Sequence, residues 1–337
     1  MIGLFIILLL VLFLPFTVKK VEHNLEYFLF IMGILAAVVG GVFDTELLLH
    51  ALEDPIKITL AVFIAGLLFK WFQNQLGKAI DAISHKIPFS VFAALVVILL
   101  GLLSSVITAI IAALVLVLII SNLSLDRKNE IWLTIIGCFS IGLGAALTPI
   151  GEPLSTIAVS KMGEGFFYLF DLIGPFVIPG VILLGLLAAF VVKREEGAGN
   201  QIAQEEEKYS EIIIRAVKIY LFVFGLTMLG AGFEPLINKY LLDLSPKILY
   251  WINTFSAVLD NATLAAAEIS PAMSDSTVEA ILMGLLISGG MLIPGNIPNI
   301  ISAGKLKITS KEWAKVGLPL GFTLLLACFI ILLVTGI

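Results

Sequence analysis

Long apolar runs separated by short polar ones dominate the chain. Continuous apolar stretches at 1–18, 26–43, 56–74, 166–192, 211–232 and 313–335 match the roughly 20 residues a helix needs to cross a bilayer. The first of them, Met1–Pro15 at its core, has no positive n-region and no small-residue cleavage site, so it reads as a helix rather than a signal peptide. Lys193–Ser210 (KREEGAGNQIAQEEEKYS) is the one long polar segment. Its charge, glycine and glutamine content predict a linker between two halves.

Two regions in each half do not behave as simple spans. Residues 88–121 are apolar but interrupted by Ser104-Ser105-Val106-Ile107-Thr108. Each arm is then about 15 residues, too short to cross alone, which predicts a re-entrant helical hairpin. Residues 131–161 carry Thr148-Pro149-Ile150-Gly151-Glu152-Pro153. Proline lacks an N–H and clashes with the preceding turn, so Pro149, Gly151 and Pro153 predict a broken helix.

Both oddities recur after the linker. Residues 247–273 are interrupted at Asp260-Asn261-Ala262-Thr263, and residues 279–305 at Ile293-Pro294-Gly295-Asn296-Ile297-Pro298-Asn299. Without gaps near the breaks, Gly151 aligns with Gly295, Glu152 with Asn296, Ser155 with Asn299 and Lys161 with Lys305. At the tips, Ser105 aligns with Asp260 and Thr108 with Thr263. The expected architecture is an all-α polytopic membrane protein with N-terminal peripheral helices over 1–55. A first repeat over 56–192, a linker over 193–210 and a second repeat over 211–337 follow. Each repeat holds a hairpin (88–121, 247–273) and a Pro/Gly-broken helix (131–161, 279–305).

A hairpin returns to its own side, so each repeat crosses the membrane an odd number of times and the second copy is inverted. Inverted repeats with paired broken helices are the architecture of secondary transporters, with the site at the midplane. Charge tests this threading independently. Lys57, Lys161, Lys239 and Lys247 fall on one face, and the other 16 of the chain's 20 Lys and Arg on the opposite face. The positive-inside rule makes the richer face cytoplasmic, with the linker. Both termini and an acidic loop Asp44–Asp54 are then expected outside.

Composition removes other classes. Of 337 residues, 60% are apolar and 13% charged, and mean hydropathy is +1.10, which excludes a soluble domain or a disordered tail. A net charge of -5 and the lack of a basic stripe argue against a nucleic-acid partner. Cys138 and Cys328 lie in apolar runs, and His23, His50 and His85 are scattered, so neither a disulfide framework nor a cysteine or histidine metal site is expected. No nucleotide-binding loop is present, nor a Gly-x-Gly-Asp, His-Glu-x-x-His or Gly-x-Ser-x-Gly motif, so we expect no nucleotide partner, no cofactor and no enzyme. An intramembrane enzyme remains the remote alternative.

Breaks expose carbonyls at one half-helix end and N–H groups at the other, at several kcal/mol each if unsatisfied in hydrocarbon. Carbonyl ends suit a dehydrated cation. If each tip meets the break of its own repeat, one site has Ser105, Thr108, Glu152 and Ser155. The other has Asp260, Asn261, Thr263, Asn296 and Asn299. Each contains one carboxylate, and an intramembrane carboxylate is functional by default. Because such a group binds either a proton or a metal cation, Asp260 and Glu152 are the expected sites of Na⁺ and H⁺, as transported ions. Plainer readings are that Glu152 and the Asp260-Asn261 pair cap helices. Glu268 is expected toward the outer surface in a solvated or paired structural role, and Asp171 at the interface.

These motifs resemble the ion transporter superfamily, which holds NhaD-type sodium/proton antiporters, arsenite permeases and sodium-coupled dicarboxylate transporters. Ser256-Ala257-Val258-Leu259-Asp260-Asn261 is similar to the S-A-x-x-D-N tip of the antiporter and arsenite branches. Leu147-Thr148-Pro149-Ile150-Gly151 and Leu292-Ile293-Pro294-Gly295-Asn296 resemble its T-P-x-G and G-N breaks. Closer still is the resemblance to an uncharacterised prokaryotic family of small cation transporters. The resemblance covers about 56–335 and implies the hairpin fold, cation coupling through tip and break residues, homodimerisation and a prokaryotic cell membrane. The first tip lacks the Asn of the dicarboxylate branch, and Asp260 stands where that branch has Ser. A cation/proton antiporter is therefore the leading expectation, and a sodium-coupled anion or metalloid-oxyanion permease the alternative.

Overall fold

A computed structural model of the chain describes residues 2–22, 24–84, 86–123, 125–193, 208–240, 243–254 and 261–335. It is 85% helix, with no strand among the described residues. The helices are α1 (Ile2–Thr17), α2 (Lys19–Glu22), α3 (Leu25–Gly40), α4 (Thr45–Ser84) and α5 (Phe89–Ile107). They continue as α6 (Ala109–Leu123), α7 (Arg127–Ala145), α8 (Pro153–Met162), α9 (Tyr168–Val191) and α10 (Tyr209–Tyr240). The last are α11 (Pro246–Ile252), α12 (Asn261–Glu268), α13 (Asp275–Gly289), α14 (Ile297–Leu306) and α15 (Ser310–Thr335). Linker residues 194–207, His23, His85 and residues 255–260, including Asp260 of the expected second tip, lie outside the described residues.

Four helices are long and apolar enough to cross a membrane: α5, α9, α10 over Tyr209–Leu236, and α15. Exposed large apolar side chains stud them, among them Leu99, Leu183, Phe190, Ile214 and Leu326. A run of this kind is stable only against lipid or a partner.

Two boundaries differ from the sequence expectation. The stretch Thr45–Asp54 is the start of α4 rather than a loop. Asp44 Oδ1 accepts the Leu47 N–H at 2.8 Å, and Glu46 sits in the first turn, a good helix start despite the acidic composition. The first arm of the interrupted segment 88–121 is also longer than expected, at 19 residues. Ser104 Oγ donates to the Gly101 carbonyl at 2.6 Å and Ser105 Oγ to that of Leu102 at 2.7 Å. Bonded back to the preceding turn, the two hydroxyls are satisfied without an outside partner, and the helix runs on past them. The break falls at Thr108, the last residue of the expected interruption, where φ is 76° and ψ 149°. A β-branched residue held there costs about 1–3 kcal/mol.

Packing repeats itself across the two halves. The α4–α6, α5–α7, α6–α7 and α7–α9 contacts recur as α10–α12, α11–α13, α12–α13 and α13–α15. Each half also reaches into the other: α6 lies against α14, and α12 against α8. Small residues allow the tightest of these crossings. A Cβ on Gly33 or Gly40 of α3 would strike the carbonyl of Gly225 or Gly232 of α10, the close approach that apolar helices use in lipid.

Candidate functional site: two broken helices

The first break runs from the end of α7 at Ala145 to Pro153. Ala146 and Leu147 N–H groups still bond back to Leu143 and Gly144, and Gly151 N–H reaches the Thr148 carbonyl at 3.2 Å. A Cβ on Gly151 would collide with the Ala145 carbonyl, so only glycine lets the chain fold back over the helix end. Glu152 then sits 4% exposed in extended backbone (φ -156°, ψ 160°) as the N-cap of α8, with Pro153 first in the helix. Its carboxylate does not bond the N–H groups of α8's first turn, unlike the simple cap that was the plainer expectation.

The second break has the same construction. α13 ends at Gly289, a 3-10 turn covers Ile293–Gly295, and Asn296 is the N-cap of α14. Asn296 has φ -154° and ψ 146°, close to Glu152. The matching extends through both half-helices. Thr156 N–H bonds the Glu152 carbonyl and Ile300 N–H that of Asn296, both at 3.3 Å. Both half-helices end in the left-handed region, at Gly163 (φ 68°) and Lys307 (φ 54°). Beyond them Glu164 N–H bonds the Val159 carbonyl and Ile308 N–H that of Ala303.

The interruption between α5 and α6 docks on the first break. Ala109 N–H, just past Thr108, donates to the Gly151 carbonyl at 2.8 Å, and Thr148 Oγ1 donates to the Ser105 carbonyl at 2.5 Å. Ser105 and Thr108 are 8% and 3% exposed. This joins Ser105, Thr108, Glu152 and Ser155 in one region, and adds Thr148 and Ser104, which the site residues chosen from sequence omitted. Ser104 Oγ also donates to the Ile141 carbonyl at 3.0 Å, tying α5 to α7.

In the second site Asn299 donates its amide to the Gly289 and Leu292 carbonyls at 2.8 and 2.9 Å. The Gly289 carbonyl is one that the end of α13 leaves open, and that of Leu292 also accepts the Gly295 N–H. Asn296 is turned toward the other half: a Cβ on Gly142 of α7 would lie 2.5 Å from its Nδ2. Cys138 Sγ, one turn earlier, reaches the Pro298 carbonyl at 3.6 Å and Ser302 Oγ at 3.4 Å. The two breaks thus flank α7. Asn261 and Thr263 are buried in the first turn of α12, and their expected companion Asp260 is outside the described residues.

Two polar oxygens stand out. Ser155 Oγ and Asn299 Oδ1 are fully buried and have no hydrogen-bond partner among the described residues. They occupy aligned positions, one turn into each half-helix. Buried acceptors of this kind are uncommon and call for a proton donor, water or cation.

A cleft of about 310 Å³ approaches the first break. His50, Ser160, Lys161, Thr227 and Glu234 line it, and it ends near Thr156, whose Oγ1 donates to the Pro149 carbonyl at 2.6 Å. Lys161 is not a solvated charge there. Its Nζ donates to the carbonyls of Ala266 (2.7 Å), Ile269 (2.9 Å) and Gly230 (3.3 Å). It therefore caps the C-terminal end of α12, whereas the aligned Lys305 is exposed.

Two acidic residues complete the inventory. Asp171 is exposed at the start of α9. Glu268 is not solvated, one of the two roles expected of it: it is 6% exposed, buried at the end of α12. Residue spacing placed it toward a surface, but α12 packs against α8, α10 and α13.

Such a fold and site define an all-helical, membrane-embedded protein organised around two matched helix breaks. The chain belongs to the family described as "Protein of unknown function (DUF1646)", whose family model matches residues 1–335. No curated protein matches it.

Proposed function

We propose that the protein is a secondary active transporter that exchanges Na⁺ for protons by alternating access. The observation that carries this reading is the aligned pair of orphaned oxygens, Ser155 Oγ and Asn299 Oδ1, one beside each break. An oxygen buried without a donor is costly, about 1–3 kcal/mol, and a dehydrated cation is the ligand that needs it. Hydroxyl, amide and carbonyl oxygens with one carboxylate form the hard donor set that Na⁺ prefers. Thr108, Glu152 and Ser155 would supply one set, and Asp260, Asn261, Thr263, Asn296 and Asn299 the other.

Two inverted repeats, each with a re-entrant hairpin and a broken helix, give this reading its architecture. The recurrence of helix contacts between the halves supports it, as do the matched dihedrals of Glu152 and Asn296. Ser105 and Thr108 against Gly151 would be the first hairpin tip, and the motif around Asp260 resembles that of cation/proton antiporters. Asp260 and Glu152 would bind cation and proton in alternation, which couples the two fluxes. The cleft at Lys161 leads toward the first break and offers an entry route. The paired helices α3 and α10 would form the scaffold against which the breaks move, and a homodimer would join through it. In this reading the membrane is a prokaryotic cell membrane, with both termini outside and 193–210 cytoplasmic.

The test uses proteoliposomes with an internal pH dye. With a proton gradient imposed, added Na⁺ is expected to dissipate it, and Asp260→Asn to abolish that response. Dissipation that persists in Asp260→Asn, or no response to Na⁺, Li⁺, K⁺ or Ca²⁺, overturns the assignment.

A further inference from the structure

One buried carboxyl is used by neither break. Glu268 closes α12 at 6% exposure, and its Oε2 has no hydrogen-bond partner among the described residues. The group it faces is the amide of Asn253, which is fully buried just past the end of α11. Neither Nδ2 nor Oδ1 of that amide is partnered among the described residues. Asn253 cannot swing away to water. Its carbonyl accepts Ser288 Oγ at 2.6 Å, and Gly284 of α13 leaves room for its Cβ, 3.1 Å from where a Cβ on that glycine would lie.

Ionisable groups on the elements around α12 do not compensate a charge on Glu268. Lys161 of α8 spends its Nζ on three carbonyls. Glu234 of α10 acts on Lys161, and Asp275 and Glu279 of α13 add only negative charge. Among the described residues, no ion pair includes Glu268. Its position at the C-terminal end of a helix sets an anion against the negative pole of the helix. An ionised carboxylate with no cation, and only the Asn253 amide as donor, is therefore badly placed here.

One ligand resolves all three orphaned atoms at once. A carboxylic acid facing an amide makes two parallel hydrogen bonds: its O–H donates to the amide oxygen, and its carbonyl oxygen accepts from the amide N–H. That pair satisfies Glu268 Oε2, Asn253 Oδ1 and Asn253 Nδ2 together. A metal ion bridging the two oxygens would leave Nδ2 orphaned. We propose that Glu268 and Asn253 form a proton-binding site, distinct from the two breaks, in which the proton is held as a carboxylic acid paired with the amide. The site stands whether or not the breaks transport a cation.

Infrared spectroscopy of the purified full chain tests it without a transport assay. The expected result is a protonated-carboxyl C=O band at neutral pH that shifts in D₂O and is lost in Glu268→Gln. Added Na⁺ is expected to leave the band in place. Asn253→Leu keeps the acid and removes the amide, so it is expected to move the band to higher wavenumber. That second variant decides the matter if Glu268→Gln fails to fold. Identical spectra for wild type and Glu268→Gln, a band unmoved in Asn253→Leu, or a band erased by Na⁺ would each overturn the proposal.

Discussion

Gly144→Ala probes the crossing of α5 and α7 beside the first break. A Cβ there would overlap the Gly101 carbonyl of α5 and lie 3.2 Å from Ser104 Oγ. The obstacle is backbone, so α5 and α7 must separate. Overpacking of this kind costs about 1–3 kcal/mol. Separation also weakens Ser104 Oγ to the Ile141 carbonyl (3.0 Å) and Ser140 Oγ to the Val97 carbonyl (2.8 Å). Interhelical bonds in membrane proteins average about 0.6 kcal/mol each. Against this, alanine gains about 1 kcal/mol of helix propensity over glycine. The net expectation is a loss of about 1–3 kcal/mol, or about 5- to 150-fold in the unfolding equilibrium. Gly304→Ala in α14 is the control: nothing lies within 4 Å of its new Cβ, so it keeps the propensity gain of about 0.5–1 kcal/mol. Reversible unfolding of both variants in SDS-mixed micelles measures the difference. Gly144→Ala as stable as Gly304→Ala would refute the close-approach argument.

Other consequences can be checked on the same material. Arg127 joins α7 to the start of α15 through Glu312 (3.0 and 2.9 Å) and to the Leu306 and Lys307 carbonyls (3.0 and 2.9 Å). Arg127→Lys loses the two-pronged geometry and should cost about 1–2 kcal/mol, with a weaker dependence of stability on salt; unchanged salt dependence would contradict the bridge. Lys161→Met removes the donor to the Ala266 and Ile269 carbonyls and should speed amide exchange in α12. The aligned Lys305→Met should leave exchange unaltered, and equal effects of the two would show that Lys161 is not a cap.

Local chemistry was the legible part of this chain. Pro149, Gly151 and Pro153 announce the first break because each acts on its own backbone, and the helix does stop at Ala145 and resume at Pro153. The second break is as plain, between Gly289 and Ile297. Contacts made at a distance were not legible. Whether Glu268 is wet or buried depends on α8, α10 and α13, none of which its own spacing encodes. Lys161 and Lys305 align in sequence, yet only Lys161 finds carbonyls of a helix more than a hundred residues away. Ser104 and Ser105 looked like part of a gap in an apolar run, but their hydroxyls bond back to the preceding turn and the helix breaks only at the end of that run, at Thr108.

The exchange of partners between halves, α6 against α14 and α12 against α8, bears on how the chain is made. When the first half has been synthesised, α6 and α8 are in place while the surfaces that will cover them are still unmade. Glu152 and Ser155 at the head of α8 then wait with incomplete surroundings. The early helices must keep that unfinished surface together until α12 and finally α14 arrive. The packing around the breaks is therefore complete only once α12 and α14 have been made. A chain stopped before Ile297 would leave the first half without its α6 partner, and its helices as a target for membrane quality control.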